Sequence, residues 1–460
     1  MFIGRAQELR QLNEAYRLDR STAVVLYGRY GIGKTELAEL FVKDKPSIFF
    51  AVRELSEKEQ GFTMAKELGV PVTDDEVLTF YDCLKHAVEK EQRNGQKTVV
   101  VLDEFHFLVK NGAAFQEAVL KIMEEKWCMF LFLSSSVNWV ENTMVEEFTG
   151  VVRSLTGLLK LKEFTFVEMV KRFPKMSVEH SLYATAVLGG VPAYLDYWSE
   201  TEEVKENILR LFLRKNSPLL YEAENFLKKE LRELGAYNAI LAALASGRYK
   251  LNDIYARTGF SRAKISVYIK NLIELDVVEK VFSFDAMEHA SLVHVNVQKG
   301  LYRIKDRYLS FWYRYVFPNL SGILSGRGEE IYETEIVPDF AVFMKECFAQ
   351  VCSEYLKLMS QYGRLEHKYS YWGTWYGKTG SIDVLARDEE GNVLAGFCQF
   401  GEYAMSELHL EQYKELMELA LISPKELVLF SKTGFSEEIR QNTDNLIPGC
   451  KVSLVELADL

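Results

Sequence analysis

Runs of apolar residues alternate with amphipathic helical patterns over the first 165 residues of the chain. The pattern predicts strands at 22–27, 47–52, 98–102, 129–133 and 157–161, with helices at 34–43, 56–68 and 76–93. Strands that are apolar throughout are buried on both faces, and their alternation with helices is typical of an open parallel sheet. The N-terminal part is therefore predicted to have an α/β fold.

From residue 236 the pattern changes to short amphipathic helices. Two are predicted at 239–244 and 251–256, and a third follows Ser261, with Ile265, Ile269, Leu272 and Leu275 on its core face. Strands are predicted at 277–284 and 292–297. Three helices followed by a β-hairpin are the layout of a winged helix-turn-helix.

The last third of the chain returns to mixed helix and strand patterns. A helix is predicted at 336–357, and strands at 369–375, 381–386, 393–400 and 426–431. Between this part and the winged helix, Tyr308, Phe311, Trp312 and Tyr315 recur at helical spacing. We therefore interpret residues 300–313 as a packed helical linker.

The most specific chemical signal lies between the first strand and the first helix. Residues 28–35, Gly-Arg-Tyr-Gly-Ile-Gly-Lys-Thr, match the spacing G-x-x-x-x-G-K-[ST] of a phosphate-binding loop. Gly28, Gly31 and Gly33 let backbone N–H groups point at a polyphosphate, Lys34 is expected to reach the β- and γ-phosphates, and Thr35 to ligate Mg²⁺. The loop predicts a nucleoside triphosphate site.

Two further strands end in residues that suit this site. The strand at 98–102 leads into Asp103, a candidate for the magnesium shell, and Glu104, a candidate for activating water. The strand at 129–133 leads into Ser134, whose hydroxyl is a candidate sensor of the γ-phosphate. A serine-rich strand exit without that role is an equally good interpretation of Ser134.

Several motifs resemble those of a known family. Residues 2–9, Phe-Ile-Gly-Arg-Ala-Gln-Glu-Leu, resemble the opening hhGRExEL motif of the signal-transducing branch of AAA-like P-loop ATPases, with Ala6 where the family usually has Glu. Gly189–Leu195 resembles that group's GG-P-YL segment. Taken as a whole, the chain resembles the archaeal-type ATPase family, whose members carry a winged helix and a nuclease-like domain behind the ATPase.

That resemblance implies a division into four parts and a set of ligands. It implies an ATPase core at 1–165, a helical lid and linker at 166–235 with Pro192 near the nucleotide base, a winged helix with helical linker at 236–320, and an α/β restriction-endonuclease-like domain at 321–460. ATP and Mg²⁺ are the implied cofactors.

Within the same resemblance, residues 381–400 are similar to the two metal-binding strands of PD-(D/E)XK nucleases. Asp383 stands at the first acidic position, but Phe397 replaces the second acid and Gln399 replaces the lysine. Because such sites need both acids to hold a metal, we expect the nuclease activity to be lost. Residues of neighbouring segments could take the place of the missing acid and lysine, and the candidates are Glu402, Glu407 and Lys414.

Charge and composition bear on partners and location. The net charge is −11 over 460 residues, yet residues 248–273 carry six basic residues and one acidic residue. A local basic cluster is what phosphate contacts need, so Arg262, Lys264 and Lys270 are predicted to contact double-stranded DNA.

The six cysteines show no C-x-x-C spacing, which favours reduced thiols. With no apolar run long enough to span a bilayer, we expect a cytoplasmic protein and no membrane partner.

The sequence therefore predicts an ATP-binding and ATP-hydrolysing switch whose nucleotide state repositions a DNA-contacting winged helix. Two alternatives stay open. One is a protein-interaction switch without DNA binding, in which the winged helix docks on another protein or a second copy of the chain. The other is an ATP-dependent nuclease.

Overall fold

The structure is a computed structural model in which residues 3–71, 79–93, 95–110, 112–284, 300–443 and 446–460 are described. These residues form two compact units. The first comprises Met1–Glu163 together with Val191–Ala193, and the second comprises Phe164–Gly190 and Tyr194–Leu460. The four-part division inferred from sequence stays a prediction.

The first unit is built on a five-stranded parallel sheet. Its strands are β1 (Thr22–Tyr27), β2 (Ser47–Ala51), β3 (Thr98–Asp103), β4 (Cys128–Ser134) and β5 (Gly157–Lys160), in the spatial order β2-β3-β4-β1-β5. The helices of this unit are Ala6–Arg17, Lys34–Val42, Glu57–Leu68, Phe80–Glu91, His106–Val109, Ala113–Glu125, Val137–Asn142, Met144–Glu147 and Thr149–Val152. The predicted parallel α/β fold of this part is confirmed.

The apolar runs of this sheet supply a core on both of its faces. Along β1, Ala23 and Val25 belong to one buried cluster, and Val24 and Leu26 to the other. Alternate residues of a strand point to opposite faces, so a run without polar interruptions is buried on both sides. Because β3, β4 and β1 are adjacent and parallel, their carboxyl ends lie beside one another at one edge of the sheet.

The second unit begins with a helical part. Its helices are Phe166–Arg172, Val178–Leu188, Val204–Phe212 and Glu222–Glu230. A short helix, Pro192–Leu195, lies where the chain passes from Val191–Ala193 into Tyr194.

Three helices and a two-stranded sheet follow in the second unit. The helices are Leu234–Ala245, Leu251–Thr258 and Arg262–Glu274, and β6 (Val278–Val281) pairs antiparallel with β7 (Leu301–Ile304). The strand predicted at 292–297 lies outside the described residues. The observed partner of β6 comes instead from the start of the stretch interpreted as a linker helix.

The rest of that linker stretch is helical, as predicted. The Asp306 carboxylate caps the helix Arg307–Phe311 by accepting the Leu309 N–H at 2.8 Å, and the helix continues through Val316 with a wider turn. The four aromatic residues at helical spacing are all buried, with at most 2% exposure: Tyr308, Phe311, Trp312 and Tyr315. Short helices at Leu320–Leu324 and Gly328–Ile331 follow.

The C-terminal part of the second unit contains a mixed sheet. Its strands are β8 (Tyr371–Tyr376), β9 (Ser381–Arg387), β10 (Val393–Gln399), β11 (Glu426–Ser431) and β12 (Lys451–Glu456), in the order β12-β11-β10-β9-β8. The β8-β9-β10 pairs are antiparallel and the β10-β11-β12 pairs parallel.

Helices cover both faces of this mixed sheet. The long helix Phe340–Gln361 packs on one face, where Tyr355 meets Phe430 edge-on at 6.0 Å between ring centroids. The helix Glu407–Leu419 packs on the other, where Tyr413 stacks on Phe397 at 4.1 Å. A helix at Glu437–Gln441 precedes β12.

Two predictions about composition can be compared with this fold. All six cysteines are free and buried. Within the described part of the chain, no helix is both long and apolar enough to cross a membrane.

Candidate functional site

The loop Gly28–Thr35 lies at the carboxyl edge of the parallel sheet, between β1 and the helix Lys34–Val42. Gly31 and Gly33 adopt φ of 78° and 93°, a left-handed backbone that side chains with a Cβ rarely adopt. A Cβ at Gly31 would also lie 2.8 Å from the Cβ of Ala193. The glycines therefore fix both the turn of the loop and its close approach to residue 193.

Lys34 is held inside this loop. Its Nζ donates hydrogen bonds to the carbonyl oxygens of Gly28 at 2.9 Å and Arg29 at 3.1 Å, and the residue is buried. It begins the helix Lys34–Val42, whose N-terminus receives no side-chain cap from the described residues. A lysine ammonium and uncapped helical N–H groups together form a site suited to an anion.

Thr35 and Asp103 meet although they are far apart in sequence. The Thr35 hydroxyl donates to Asp103 Oδ2 at 2.9 Å, and the backbone N–H of Glu104 donates to Asp103 Oδ1 at 3.0 Å. Burial raises the pKa of Asp103, and the hydrogen bond from Thr35 opposes that rise. A carboxylate beside a hydroxyl is a pair of hard oxygen ligands, which suits Mg²⁺.

Glu104 occupies a left-handed backbone conformation, with φ of 54°. Its Oε2 accepts the backbone N–H of Ser135 at 2.9 Å and lies 3.4 Å from His106 Nδ1. A left-handed conformation is uncommon for a residue other than glycine, and it persists only where neighbouring contacts enforce it. Here the Ser135 N–H fixes the carboxylate at the ends of β3 and β4.

His106 is a site residue that the sequence analysis missed. Its Nδ1 lies 3.2 Å from the hydroxyl of Ser134, which also accepts the Ser136 N–H at 3.3 Å. Burial, followed by the charges of Lys110 and Lys34, lowers the pKa of His106 to about 3. The imidazole is therefore neutral near pH 7 and contributes a hydrogen bond, not a charge. Its position two residues after Glu104 is the sequence signal that could have identified it.

Ser134 lies at the end of β4, between the two strands that carry the loop and Asp103. Its side chain is fully buried, and the contacts with His106 and Ser136 occupy the hydroxyl in this structure. The structure thus brings the predicted sensor together with Glu104 through His106.

The segment Val191–Ala193, which includes Pro192, packs against the loop. The backbone N–H of Ala193 donates to the carbonyl of Gly31 at 3.1 Å. The side chain of Arg5 also meets the loop, since its Nη2 donates to the carbonyl of Ile32 at 3.1 Å and to that of Lys162 at 2.7 Å. Arg5 of the opening motif therefore contacts the loop in addition to Ala193.

The predicted DNA-contact residues lie in the second unit, on the helix Arg262–Glu274. Arg262, Lys264 and Lys270 are exposed, whereas Ile265, Ile269 and Leu272 are buried, as their spacing predicts. Arg262 Nε donates to Asn252 Oδ1 at 2.9 Å, and its guanidinium lies 4.5 Å from the Tyr255 ring. Lys264 lies 4.8 Å from the Phe260 ring, and Lys270 pairs with Glu274 at 3.6 Å. The helix therefore presents a cationic outer face.

The positions that the sequence analysis compared with PD-(D/E)XK nucleases lie on the mixed sheet of the second unit. Asp383 accepts the Cys398 N–H at 2.9 Å, Phe397 is buried against Tyr413, and Gln399 bonds to the Tyr403 carbonyl and the Ser431 hydroxyl. Lys414 pairs with Glu411 at 2.8 Å. No group of three or more His, Cys, Asp or Glu side chains in the described part of the chain could hold a metal.

Sequence comparisons find relatives without an assigned activity. Residues 312–413 match a family described as archaeal and bacterial proteins of unknown function, DUF234. An uncharacterized protein of Methanocaldococcus jannaschii, MJECL04, is 27% identical over 402 residues, which cover 85% of each chain.

Structural comparisons find ATPases and related proteins. The Walker-type ATPase PABY2304 of Pyrococcus abyssi is similar with a TM-score of 0.48 and 15% identity, over 68% of this chain and 96% of that one. The Aeropyrum pernix ORC2 protein gives 0.43 and 16%, over 72% and 94%. The A. pernix ORC1 protein, solved in complex with DNA, gives 0.35 and 17%, over 70% and 95%.

Proposed function

We propose that this chain is an ATP-binding and ATP-hydrolysing switch. The observation that supports this most directly is the 2.9 Å hydrogen bond between Thr35 and Asp103, beside a buried Lys34 at the start of a helix. A glycine-rich loop, a lysine, a hydroxyl and a carboxylate at the edge of a parallel sheet are the parts that a Mg–nucleotide site requires.

Each residue of the site has a role in this proposal. Lys34 exchanges the Gly28 and Arg29 carbonyls for phosphate oxygens, and the N–H groups of the loop and the helix start bind the same phosphates. Thr35 and Asp103 hold Mg²⁺, which would neutralise phosphate charge. Glu104, fixed by the Ser135 N–H, orients and deprotonates the attacking water. Ser134 and His106 position Glu104 and sense the γ-phosphate.

A route for the nucleotide to act on the second unit is present in the covalent chain. Gly31 in the loop accepts a hydrogen bond from Ala193, and the chain passes directly from Ala193 into Tyr194 of the second unit. Phosphate binding would rearrange the loop backbone and hence the segment around Pro192. We infer that this segment transmits the nucleotide state.

In the same proposal residues 236–320 form a winged helix that contacts double-stranded DNA. Three helices followed by an antiparallel strand pair fit that layout, and Arg262, Lys264 and Lys270 lie exposed on the third helix. The mixed sheet at 371–456 serves as a nuclease-like domain without catalytic activity, because Phe397 and Gln399 are tied into its core and its hydrogen bonds.

A titration of a labelled mixed-sequence duplex between 50 and 200 mM salt, with and without Mg-ATP, tests the DNA role. The double variant Arg262→Glu/Lys264→Glu should lower the slope of log affinity against log salt by about 2, since each phosphate contact contributes about 0.9. Arg10→Glu/Arg17→Glu, on the exposed side of the helix Ala6–Arg17, makes the same charge change and should leave the slope unchanged.

A protein partner is the second candidate for this surface. Val267 and Ile273 are 58% and 37% exposed on the same helix, and exposed apolar side chains favour a protein contact over a phosphate contact. Absence of salt-sensitive DNA binding in both nucleotide states would decide for this alternative.

A further inference from the structure

The helix Glu407–Leu419 carries apolar side chains on its solvent side as well as on its core side. Leu410 faces the core of the mixed sheet and is buried. Leu408 and Leu419 are 68% and 62% exposed, and Leu421, just beyond the end of the helix, is 93% exposed. The proposed ATP site and the DNA-contact helix do not account for these three leucines. Exposed apolar side chains grouped on one element are typical of a surface that another protein covers.

The two leucines of this helix belong to one stripe along its outer face. Residues 408, 412, 415 and 419 follow the spacing i, i+4, i+7, i+11, and all four are exposed. The stripe reads Leu-Gln-Glu-Leu and extends for about 17 Å. Because helices pack along such rows of side chains, a stripe of this length fits one helix of a partner.

Glutamates give the outer face a negative charge. The helix contains four glutamates and one lysine, and Lys414 pairs with Glu411 at 2.8 Å. The other three glutamates are exposed and form no ion pair with any residue that the structure describes: Glu407, Glu415 and Glu418. A partner that covers this face must therefore bring both apolar and basic side chains.

The helix Arg262–Glu274 of the same chain has a face of that chemistry. Val267, on the side away from the buried residues of this helix, is 58% exposed. Arg262 and Lys264 each lie beside an aromatic ring, at 4.5 Å and 4.8 Å, and neither forms an ion pair with a carboxylate in the described part of the chain. Their charges are therefore available to an acidic surface.

The two faces also match in length and in charge balance. Each helix has 13 residues and is therefore about 20 Å long. The helix at 262–274 has three basic residues and one acidic residue, a net charge of +2, and Lys270 and Glu274 are the two that cancel. The helix at 407–419 has one basic residue and four acidic ones, a net charge of −3 with His409 left out. Opposite charge around an apolar centre on each face favours their association.

We propose that the chain associates head to tail with a second copy of itself, so that the helix Arg262–Glu274 of one copy packs against the helix Glu407–Leu419 of the next. Because the contact joins two different faces, an assembly keeps one free face of each kind unless it closes into a ring.

This inference names the partner surface for the protein contact considered above, and it does not rest on ATP hydrolysis or on DNA binding. The first of the two helices is also the proposed DNA-contact helix. A DNA duplex and a second copy of the chain therefore compete for the same basic face, and the duplex should dissociate the assembly.

Sedimentation velocity of the full chain tests the association. A contact between two short helices is at the small end of specific interfaces, so the sedimentation coefficient should rise between about 1 and about 100 µM protein. The rise should be smaller at high salt, because salt screens the attraction between the faces. The variants Arg262→Glu/Lys264→Glu and Glu415→Lys/Glu418→Lys should each weaken the association at least about tenfold, since like charges then oppose each other.

Mixing the two charge-reversed proteins separates a lost contact from a damaged fold. The intact basic face of one variant can meet the intact acidic face of the other, so the mixture should associate although neither variant does so alone. A chain that carries all four reversals should also recover association with itself. Recovery in either experiment is not expected if a variant has simply misfolded.

The apolar part of the contact and the competition with DNA are measured in the same way. Leu419→Ser and Val267→Ser should each weaken the association about tenfold, the effect of exposing one apolar side chain. A duplex that binds tightly but leaves the assembly intact would overturn the assignment of the helix Arg262–Glu274 to the contact. If no duplex binds, the DNA role fails while the mixing experiment still decides the self-association.

Two control variants make the same charge changes at exposed positions outside both helices. Arg10→Glu/Arg17→Glu lies on the helix Ala6–Arg17, and Glu389→Lys/Glu390→Lys lies on the turn between β9 and β10. Both should associate as the wild type does. A sedimentation coefficient that does not depend on concentration up to about 100 µM, or association that is undiminished in both charge-reversed variants, overturns the proposal.

Discussion

At the scale of single residues, the candidate site is a small network that couples the ends of three strands. Thr35 follows β1, Asp103 ends β3, and Ser134 ends β4, so backbone geometry brings together side chains that are distant in sequence. Direct hydrogen bonds join Thr35 to Asp103 and Ser135 to Glu104. The first bond requires a side-chain hydroxyl at residue 35, and the second requires an acceptor side chain at residue 104, so substitutions can test each one separately.

The Thr35 hydroxyl is expected to be required for the magnesium-dependent part of ATP binding. Thr35→Ala removes a metal ligand and leaves Asp103 without its 2.9 Å donor, so affinity in Mg²⁺ should fall by about tenfold or more. Thr35→Ser retains the hydroxyl and should restore affinity. Titrations of ATP with Mg²⁺ and with EDTA measure both effects, and an alanine variant with undiminished magnesium dependence would remove Thr35 from the metal site.

The buried His106 should make the stability of the chain depend on pH. Its folded-state pKa of about 3 is below the ordinary value near 6.5, so the unfolded chain takes up a proton that the folded chain excludes. The contribution of the neutral His106 to the free energy of unfolding is fully present above pH 6.5, and it is lost as the pH drops from 6.5 towards 3. Between pH 7.5 and 5 the loss should be on the order of 1–2 kcal/mol.

Urea denaturation of the wild type and His106→Gln at those two pH values measures this contribution. Glutamine fills the site without titrating, so its free energy of unfolding should change less between pH 7.5 and 5. Equal changes in the two proteins would show that His106 is not the group responsible.

At the scale of secondary-structure elements, the loop and the segment Val191–Ala193 are matched by shape. Gly31→Ala should weaken ATP binding, because φ of 78° costs an L-residue about 1–2 kcal/mol and its Cβ would lie 2.8 Å from that of Ala193. Adding Ala193→Gly relieves the contact but not the backbone strain, so it should recover part of the loss. ATP titration and thermal unfolding of the single and double variants measure the two parts.

Gly95→Ala is the matched control for the cost of placing an alanine in a left-handed backbone conformation. Gly95 has φ of 74°, and its added Cβ would meet nothing within 4 Å. It should lower stability by a similar backbone cost while ATP affinity stays unchanged. No recovery from Ala193→Gly would indicate that residues 31 and 193 do not press on each other.

The elements also show which features a sequence pattern can and cannot predict. Uninterrupted apolar runs predicted the central strands β1, β3 and β4, because burial on both faces leaves a strong local signal. The edge strands β2 and β5 were predicted as well, although they are only partly buried. The residues of the phosphate loop were recognisable because they are contiguous in sequence. The strand β7 was missed because its four residues, Leu-Tyr-Arg-Ile, become a strand only by pairing with β6, whose residues lie 20–26 positions earlier in the chain. His106 was missed for a related reason, since its role depends on Ser134 of another strand.

At the scale of the whole molecule, the proposed switch requires a coupling free energy between ATP and DNA. Such a coupling is reciprocal: if Mg-ATP changes the affinity for a DNA duplex by some factor, saturating duplex must change the affinity for Mg-ATP by the same factor. Couplings between protein sites are commonly about 5–150-fold. A switch of this kind therefore makes a quantitative statement that neither ligand alone can test.

The variant Glu104→Gln is suited to this measurement, because loss of the water-activating carboxylate should stop hydrolysis while Lys34, Thr35 and Asp103 still bind ATP. In this variant, the factor by which Mg-ATP changes the affinity for the duplex should equal the factor by which the duplex changes the affinity for Mg-ATP. Arg262→Glu/Lys264→Glu should remove the effect of DNA on ATP affinity without altering ATP affinity itself. Two binding affinities that are each independent of the other ligand would rule out the switch, and normal turnover by Glu104→Gln would remove Glu104 from the chemistry. Equal factors that both differ from one would establish that the energy of ATP binding, before any hydrolysis, changes the affinity for DNA.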